Sequence, residues 1–248
     1  MLGNIVVITL IGLTITDMII MFFYCRFMEI LEKKREAQRK ENNRTNDAKR
    51  DKENIGTSRT LKKIAGSIID HFLYGLMRYS VLLAGRIPSG HIRNWIYRYI
   101  FNAKITGKTV INGGVEIRSP WNLKAGNCII MNNCILDARS RIEIADNVVF
   151  GVGVHIWTEE HDVNSPIFAV NEENRGAVII DNHAWICSDT TILPKIHIGE
   201  GAVLAARACA TKDLEPYGIY AGIPAKKISE RKHELTYELS GKAHWHFY

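Results

Sequence analysis

Aliphatic residues recur at every sixth position through much of the second half of this 248-residue chain. An α-helix repeats about every 3.6 residues and an amphipathic strand about every 2, so neither explains the period by itself. A six-residue period is typical of a parallel β-helix, in which each short strand points one aliphatic side chain inward before a tight turn. The series has fifteen members: Ile105, Ile111, Ile117, Leu123, Ile129, Ile135, Ile144, Phe150, Ile156, Ile180, Ile186, Ile192, Ile198, Leu204 and Ala210.

The series also predicts the size of the solenoid and one interruption in it. Three hexapeptides form one triangular coil, so fifteen members predict about five coils, each buried only by stacking on its neighbours. The series stops at Ile156 and resumes at Ile180, and two of the intervening six-spaced positions, Asp162 and Asn174, are polar. We therefore predict a projecting loop over residues 157–179, and long loops on rigid scaffolds often carry function.

The N-terminal segment predicts a membrane anchor over residues 1–27. Residues 5–25 are mostly apolar and carry a single charge, that of Asp17, and about 20 predominantly apolar residues suffice to cross a bilayer as a helix. No Lys or Arg precedes this run, which argues against a secretory signal peptide, whereas several follow it and predict a cytoplasmic C-terminal side. A buried helix of a globular protein is the alternative. Asp17 is expected to snorkel or to face another helix.

The charge pattern divides the rest of the chain. We expect residues 28–60 to form a charged linker, which is either a solvated helix or disordered. Positions 29–53 mix nine basic with seven acidic residues, and this mixture of signs is unlike the basic charge of a nucleic-acid-binding arm. Residues 61–103 predict basic amphipathic helices that either lie on an anionic membrane or pack on the next domain. Residues 104–228 form the β-helix, and residues 229–248 form a C-terminal tail. The five cysteines include no CxxC pair, which fits a reducing compartment.

Several segments resemble one known family. They are IRSPWNL at 117–123, IADNVV at 144–149, TEEHD at 158–162, AWI at 184–186, TKD at 211–213 and AGIPA at 221–225. Over about residues 88–231 the chain resembles the left-handed β-helix acyltransferases with hexapeptide repeats, which include galactoside, maltose, serine and polysaccharide O-acetyltransferases. It is most similar to the branch that acts in capsule, exopolysaccharide and colanic-acid-type biosynthesis. The resemblance implies a left-handed parallel β-helix, acetyl-CoA as co-substrate and a homotrimer with its sites between subunits.

His161 is the candidate catalytic residue in the predicted loop. A hydroxyl is a weak nucleophile at neutral pH, so its acetylation needs a base whose pKa lies near the working pH, and a neutral imidazole suits that role. A carboxylate or carbonyl on the other ring nitrogen would fix the tautomer, and the neighbours Glu159, Glu160 and Asp162 remain open as candidates. The resemblance implies that His161 is the general base.

No metal is expected. A zinc site would need His161 together with His155 and His183, but the HxxxxxH spacing of the first pair differs from the HxxxxH of zinc-binding β-helix proteins. His183 and His197 stand at turn-like positions and are expected to be surface residues.

The acetyl-CoA site is implied by the resemblance alone. The backbone amide of Ser188 would bind the thioester oxygen, and Trp185 would form a wall of the donor channel. Cys187 replaces the glycine that is usual in the family, and we expect it to be an inert thiol rather than a nucleophile. The remaining cofactor-binding positions are Ala206, Thr211, Lys212 and Lys226. Lys227 is a neighbour that could substitute for Lys226.

The acceptor contacts implied by the resemblance are Asn132 and Asp137, although both residues also suit simple turns. We predict a single-pass protein of the cell inner membrane with a cytoplasmic catalytic domain, and no nucleic-acid partner. It would transfer acetyl from acetyl-CoA to a sugar hydroxyl of a cell-surface polysaccharide or of a glycan precursor, either free or lipid-linked. One alternative is an acyltransferase of the same fold that acts on serine or on the nitrogen of an amino sugar. The other is a non-catalytic solenoid scaffold tethered to the membrane.

Overall fold

The computed structural model describes residues 2–45, 61–171 and 173–242. The chain forms two compact units, Met1–Ser80 and Val81–Tyr248. Part of the predicted charged linker, residues 46–60, and the last six residues of the predicted tail, 243–248, lie outside the described residues.

The described residues of the first unit form two helices, α1 (Leu2–Thr45) and most of α2 (Leu61–Gly85). Within α1, Val7–Gln38 contains an 18-residue window of mean hydropathy 2.0, and this is the one stretch of the described residues that is long and apolar enough to cross a membrane. The helix continues through charged residues to Thr45, so residues 28–45 of the predicted linker take the helical form.

Asp17 is the acidic residue inside the apolar part of α1, and it faces α2. Ser80 Oγ lies 2.9 Å from one carboxylate oxygen of Asp17 and 3.1 Å from the other. The same hydroxyl also lies 2.9 Å from the Leu76 carbonyl, one helical turn earlier. The expectation that Asp17 faces another helix is therefore met by a hydrogen bond between α1 and α2.

The second unit begins with a short helical cap on the solenoid. After α3 (Gly90–Trp95) the chain continues as a π-helical turn over Ile96–Ile100. Ser89 Oγ accepts a hydrogen bond from the Ile92 amide at the start of α3. Arg93 is buried, and its guanidinium donates to the carbonyls of Ile111 and Ile87. These bonds join α3 to the first coil.

Seventeen strands follow in the described part of the second unit. They are β1 (Lys104–Ile105), β2 (Val110–Ile111), β3 (Glu116–Arg118), β4 (Leu123–Ala125), β5 (Cys128–Ile130), β6 (Ile135–Asp137), β7 (Ile142–Ile144), β8 (Val148–Phe150), β9 (His155–Ile156), β10 (Val178–Ile180), β11 (Trp185–Ile186), β12 (Thr191–Ile192), β13 (His197–Ile198), β14 (Val203–Leu204), β15 (Cys209–Ala210), β16 (Gly218–Ala221) and β17 (Lys226–Glu230).

The strands form the three faces of a parallel β-helix. The first sheet has the order β1-β4-β7-β10-β13, the second β2-β5-β8-β11-β14-β16-β17, and the third β3-β6-β9-β12-β15. All neighbours are parallel except β17, which pairs antiparallel with β16. The fold contains five complete coils and the start of a sixth, so the predicted β-helix is confirmed.

The six-residue series is wrong by one position in the second coil. Ile129 and Ile135 are only half-buried, whereas the next residues, Ile130 and Leu136, are fully buried. The reason is coil length. Ile105 pairs with Ala125, twenty residues later, whereas Ile180 pairs with Ile198, eighteen residues later. A 3₁₀ turn over Pro120–Asn122 lies in the longer coil, and it shifts the inward positions.

The segment after β17 lies along the coils as an irregular strap, residues 231–242, which we call the C-terminal strap. Arg231 donates to the His183 carbonyl (2.8 Å), and the Leu239 amide donates to Asn147 Oδ1 (2.9 Å). Asn127 Nδ2 in turn donates to the Leu239 carbonyl (2.7 Å). The first residues of the predicted tail, 229 and 230, belong to β17.

Candidate active site

One corner of the β-helix brings together several residues that the resemblance singled out. From the second coil to the fifth, the turns between the second and third sheets place one residue each in a stacked column, which we call the corner column: Asn132, Val152, Ser188 and Ala206. The Gly153 amide donates to the Asn132 carbonyl (3.0 Å), the Asp189 amide to Val152 (2.9 Å) and the Arg207 amide to Ser188 (3.0 Å). The residue that follows each column member has a φ between 57° and 69°, as the second central residue of a type II turn requires.

Gly151 makes close packing under Ser188 possible. A Cβ at position 151 would lie 2.3 Å from the Ser188 amide nitrogen, so only glycine fits without a shift of the backbone. The Val152 amide donates to Ser188 Oγ (3.2 Å). No group of the described residues accepts a hydrogen bond from the Ser188 amide itself. That N–H is therefore available to a ligand oxygen.

Trp185 and Lys226 lie near the same corner. Trp185 is on β11, three residues before Ser188, and is 48% exposed. The Ala225 amide donates to the Cys209 carbonyl (2.8 Å), which brings the exposed Lys226 close to the turn containing Ala206. The Lys227 ammonium already has two carboxylate partners, Glu230 at 2.8 Å and Glu215 at 2.9 Å. These bonds raise the pKa of Lys227.

Cys187 precedes Ser188 and is half-buried. Burial raises the pKa of its thiol, with only a partial opposing effect from a hydrogen bond with the Ala206 backbone. The thiolate, which is the nucleophilic form, is thereby disfavoured at neutral pH. This environment supports the expectation of an inert thiol.

His161 lies on the loop that joins β9 to β10, at the corner between the third and first sheets. The loop spans residues 157–177, because the last two residues of the predicted range, 178 and 179, already belong to β10. Its outer part folds back on itself. The Asp162 amide donates to the Ala169 carbonyl (2.9 Å), and the Asn171 amide to Glu160 (2.8 Å).

The folded-back loop fixes the orientation of the His161 ring. Its Nδ1 lies 2.9 Å from the Phe168 carbonyl, and the two rings stack with centroids 4.1 Å apart and an interplanar angle of 10°. A carbonyl oxygen can only accept, so Nδ1 carries the hydrogen and the neutral ring presents a lone pair at the exposed Nε2. The group that fixes the tautomer is thus a backbone carbonyl seven residues away, and not Glu159, Glu160 or Asp162.

The three acidic neighbours have other partners. Glu159 is nearly buried and bonds to Arg175 (2.7 Å) and Arg139 (3.0 Å). Glu160 accepts from Asn174 Nδ2, and Asp162 from the Asn164 amide. These contacts stabilise the loop and do not orient the imidazole.

Asp137 belongs to the base of this loop. Its side chain is fully buried, and its carboxylate bonds to the Arg139 guanidinium at 2.6 and 2.8 Å. Its carbonyl accepts from Thr158 Oγ1 (2.7 Å), the buried hydroxyl at the start of the loop. Together with the Glu159 pairs, these contacts form a charged base that sequence reasoning did not foresee. The one signal for it in the sequence is the nine-residue step from Ile135 to Ile144, where the series otherwise advances by six.

The predicted residues thus fall at two different corners of one chain. Thr211 and Lys212 are exposed and follow β15, so they share the corner of the His161 loop. Ser188 lies at the other corner of the third sheet. A single chain therefore does not bring His161 and Ser188 to the same corner.

A cavity of about 900 Å³ lies beside Asn132 and Val152, the first two residues of the corner column. Residues 85–88, Arg93, the Gly113–Gly114 turn and Asn132 line it, together with Met131, Asn133 and Val152. This lining includes Arg86 and Arg93 but no carboxylate. Of the two predicted acceptor contacts, Asn132 borders an open space, and Asp137 does not.

The described residues contain no cluster of three or more His, Cys, Asp and Glu side chains that could hold a metal ion. His197 bonds to Asp181 (2.8 Å), and His183 Nε2 lies 3.2 Å from the Tyr237 carbonyl. The His155 ring packs edge-on against Trp157.

No protein-family model matches the chain. Its relatives are acetyltransferases. The chain is 48% identical to a chloramphenicol acetyltransferase from Klebsiella aerogenes over 59 residues, which is 24% of this chain and only 28% of that protein's length. It is 30% identical over 133 residues to the putative colanic acid biosynthesis acetyltransferase WcaF of Escherichia coli (strain K12), covering 53% of this chain and 71% of that protein.

A solved structure shares the fold. A hexapeptide-repeat-containing acetyltransferase from Vibrio cholerae, solved in complex with acetyl coenzyme A, superposes with a TM-score of 0.56 at 18% identity, covering 70% of this chain and 91% of that one. At this identity the likeness shows the β-helix alone. The match to the E. coli protein extends over most of its length, and the chain therefore belongs to the hexapeptide-repeat acetyltransferases.

Proposed function

We propose that this protein is an O-acetyltransferase that transfers acetyl from acetyl-CoA to a sugar hydroxyl of a cell-surface polysaccharide or glycan precursor. The observation that carries the proposal is the geometry of His161. Its Nδ1–H donates to the Phe168 carbonyl, with 2.9 Å between Nδ1 and the oxygen, and this leaves Nε2 as an exposed base. The similarity to the putative colanic acid biosynthesis acetyltransferase supports a sugar acceptor.

The reaction is a direct transfer. His161 Nε2 removes the proton of the acceptor hydroxyl while its oxygen attacks the thioester carbonyl. The Ser188 amide donates to the developing oxyanion. When the tetrahedral intermediate collapses, the C–S bond breaks, and the imidazolium returns its proton to the departing sulfur. The products are the acetyl ester and free CoA, with no covalent enzyme intermediate.

The corner column and its neighbours form the donor site in this proposal. Ser188 and Ala206 line the pantetheine path, and Trp185 forms its wall. Lys226, with Thr211 and Lys212 at the next corner, contacts the nucleotide end, where exposed ammonium groups suit phosphates. Asn132, on the border of the cavity, contacts the acceptor. Asp137 acts through its support of the loop, because its carboxylate is buried on Arg139.

The active enzyme is a homotrimer in this proposal. His161 and Ser188 lie at different corners of one chain, so a neighbouring copy must supply the loop that completes each site. The tip of the loop is apolar and exposed, with Val163 at 89% and Ile167 at 83%. Contact with a second copy would cover these side chains.

Membrane attachment through residues 5–25 of α1 completes the proposal. The apolar stretch of α1 fits a bilayer by length and composition. The catalytic domain faces the cytoplasm, where acetyl-CoA is supplied, and a lipid-linked acceptor would be presented at the same surface.

The test measures release of free CoA thiol by the full-length chain with sugars, amino sugars and serine as acceptors. We expect a sugar to be the best acceptor and His161→Ala to lower kcat by about 100-fold or more. His197→Ala is the matched control, since His197 is an exposed histidine bonded to Asp181, and it should retain activity. Unchanged turnover in His161→Ala would contradict the proposal. A preference for amines would favour N-acyl transfer, and neither CoA binding nor release would favour a scaffold.

A further inference from the structure

The cavity beside Asn132 and Val152 carries positive charge that no described carboxylate compensates. Arg86 and Arg93 line it together with uncharged residues, and neither arginine has an acidic partner within the described part of the chain. We infer that this cavity binds a phosphate group of the acceptor, so that the substrate is a sugar carrying a phosphate or diphosphate ester and not a free sugar. The inference deepens the proposed function and rests on it for the identity of the ligand as the acceptor.

Arg93 supplies the buried part of this charge. Its side chain is 1% exposed. Its Nε and Nη2 atoms donate to the Ile111 carbonyl, and its Nη1 atom donates to the Ile87 carbonyl. A guanidinium has five N–H donors, so two of them have no acceptor among the described residues. A buried charge is costly unless an opposite charge compensates it, and an anion in the adjoining cavity would do so.

Two further donors border the same space. The Arg86 side chain is exposed and makes no hydrogen bond or ion pair with any described residue. The side-chain amide of Asn132 also has no described partner, whereas the carbonyl of the same residue accepts from the Gly153 amide. Paired guanidinium N–H donors match the oxygens of a phosphate. The cavity thus offers several donors to one group with several oxygens.

The charge favours a phosphate over a carboxylate. A phosphate monoester carries about two negative charges at neutral pH, and a diphosphate ester also carries more than one. Two uncompensated guanidinium groups match such a charge, whereas the carboxylate of a uronic acid would compensate only one of them. We therefore assign the cavity to a phosphorylated sugar.

The cavity has room for a sugar as well as its phosphate. Its volume of about 900 Å³ lies within the range of roughly 300–1,000 Å³ that is usual for small-molecule sites. Ile87, Pro88 and Met131 contribute apolar wall, which suits the carbon face of a sugar ring.

The corner column joins this cavity to the proposed donor site. Asn132, Val152 and Ser188 stand on successive coils, and the Val152 amide donates to Ser188 Oγ. Neighbouring strands lie about 4.8 Å apart, so a phosphate beside Asn132 would lie roughly 10 Å from the Ser188 amide. A sugar ring fits between these points. A hydroxyl of the same molecule would then reach the thioester carbonyl, while the phosphate takes no part in the chemistry.

The first experiment measures anion binding without catalysis. Calorimetry follows the binding of inorganic pyrophosphate to the full-length protein in detergent micelles, with CoA at saturation to fill the donor site. Wild type should bind one pyrophosphate per chain, and Arg86→Gln and Asn132→Ala should bind it more weakly, by about tenfold or more for Arg86→Gln. Arg98→Gln is the matched control, because Arg98 is exposed on the same helical cap but does not line the cavity. Thermal unfolding confirms that each variant is folded.

The second experiment identifies the source of the phosphate. Thiol release is measured with the sugar that the acceptor screen favours, with its uronic acid, and with three esters of it: the 1-phosphate, the uridine diphosphate ester and the diphosphate ester of farnesol. At least one ester should have a KM about tenfold or more below that of the free sugar. Arg86→Gln should abolish this preference and leave the KM for acetyl-CoA unchanged. The best ester distinguishes a sugar phosphate, a nucleotide sugar and a lipid-linked sugar.

The outcomes separate this inference from the proposed function. Equal use of the free sugar and its esters, or a preference for the uronic acid, would overturn the inference and leave sugar O-acetylation intact. A raised KM for acetyl-CoA in Arg86→Gln would assign the cavity to the donor and would also overturn it, as would pyrophosphate binding that is absent or equal in Arg86→Gln and wild type. Binding that depends on Arg86, without thiol release for any acceptor, would contradict the proposed function and support the phosphate site.

Discussion

At the scale of single residues, His161 acquires its chemistry from a partner that is distant in sequence. The Phe168 carbonyl fixes the tautomer only because the loop folds back over seven residues, and the nearby carboxylates are bonded elsewhere. Asp137 shows the same effect. A residue that suits a substrate contact by its position is instead buried on Arg139 beneath the loop. In both cases the role of a side chain depends on which hydrogen bonds and ion pairs it and its neighbours already make.

Cys187 provides a test at this scale. Burial raises the pKa of its thiol, so the protonated, non-nucleophilic form dominates near neutral pH. We expect Cys187→Ala to retain kcat within about twofold, since direct transfer needs no acyl-enzyme. Thiol release under steady-state and pre-steady-state conditions checks this. Loss of activity together with loss of a burst phase would instead identify a covalent mechanism.

At the scale of the elements, the number of coils could be predicted from the sequence. Which residue of each strand points inward could be predicted only in part. The six-residue period survives because each coil must bury one aliphatic side chain per face, and this determined the five coils and the loop. The series failed at Ile129 and Ile135 because the early coils hold extra turn residues. Spacing alone cannot show where such residues are inserted. The loop's charged base was missed for the same reason, since it joins residues on either side of a turn.

Gly151 provides the test for the corner column. Gly151→Ala would push a methyl group against the Ser188 backbone, whereas Gly107→Ala meets nothing within 4 Å and is the matched control. We expect Gly151→Ala to cost about 2 kcal/mol of unfolding free energy. Displacement of the Ser188 amide should also lower kcat by roughly tenfold or more. Urea denaturation and thiol-release kinetics measure the two effects. Equal behaviour of both variants would show that the column tolerates the change.

At the scale of the whole molecule, the separation of the two corners makes each site of the proposed trimer depend on two subunits. His161 and the corner column lie on opposite sides of the third sheet in one chain. Each catalytic centre would then combine the loop of one subunit with the column of another. Closed cyclic symmetry supplies this arrangement, because every subunit gives a loop and receives one.

Subunit complementation tests that arrangement. His161→Ala and Gly151→Ala chains, each with low activity, are co-expressed with different tags, and the mixed oligomers are purified. Random mixing at equal amounts should restore about a quarter of wild-type activity, because one site in four pairs an intact loop with an intact column. Activity no higher than the mean of the two separate variants would place each site within one chain.

The C-terminal strap has a consequence for how the solenoid opens. In a stack held only by contacts between neighbours, the terminal coil frays first and the rest peel away in turn. Here the segment that leaves the final coil crosses back over earlier ones, bonding to Asn147 and Asn127 and passing against Lys108 of the first coil. Fraying at that end therefore requires bonds on several coils to break together, so heat should melt the β-helix as one cooperative unit instead of shortening it coil by coil.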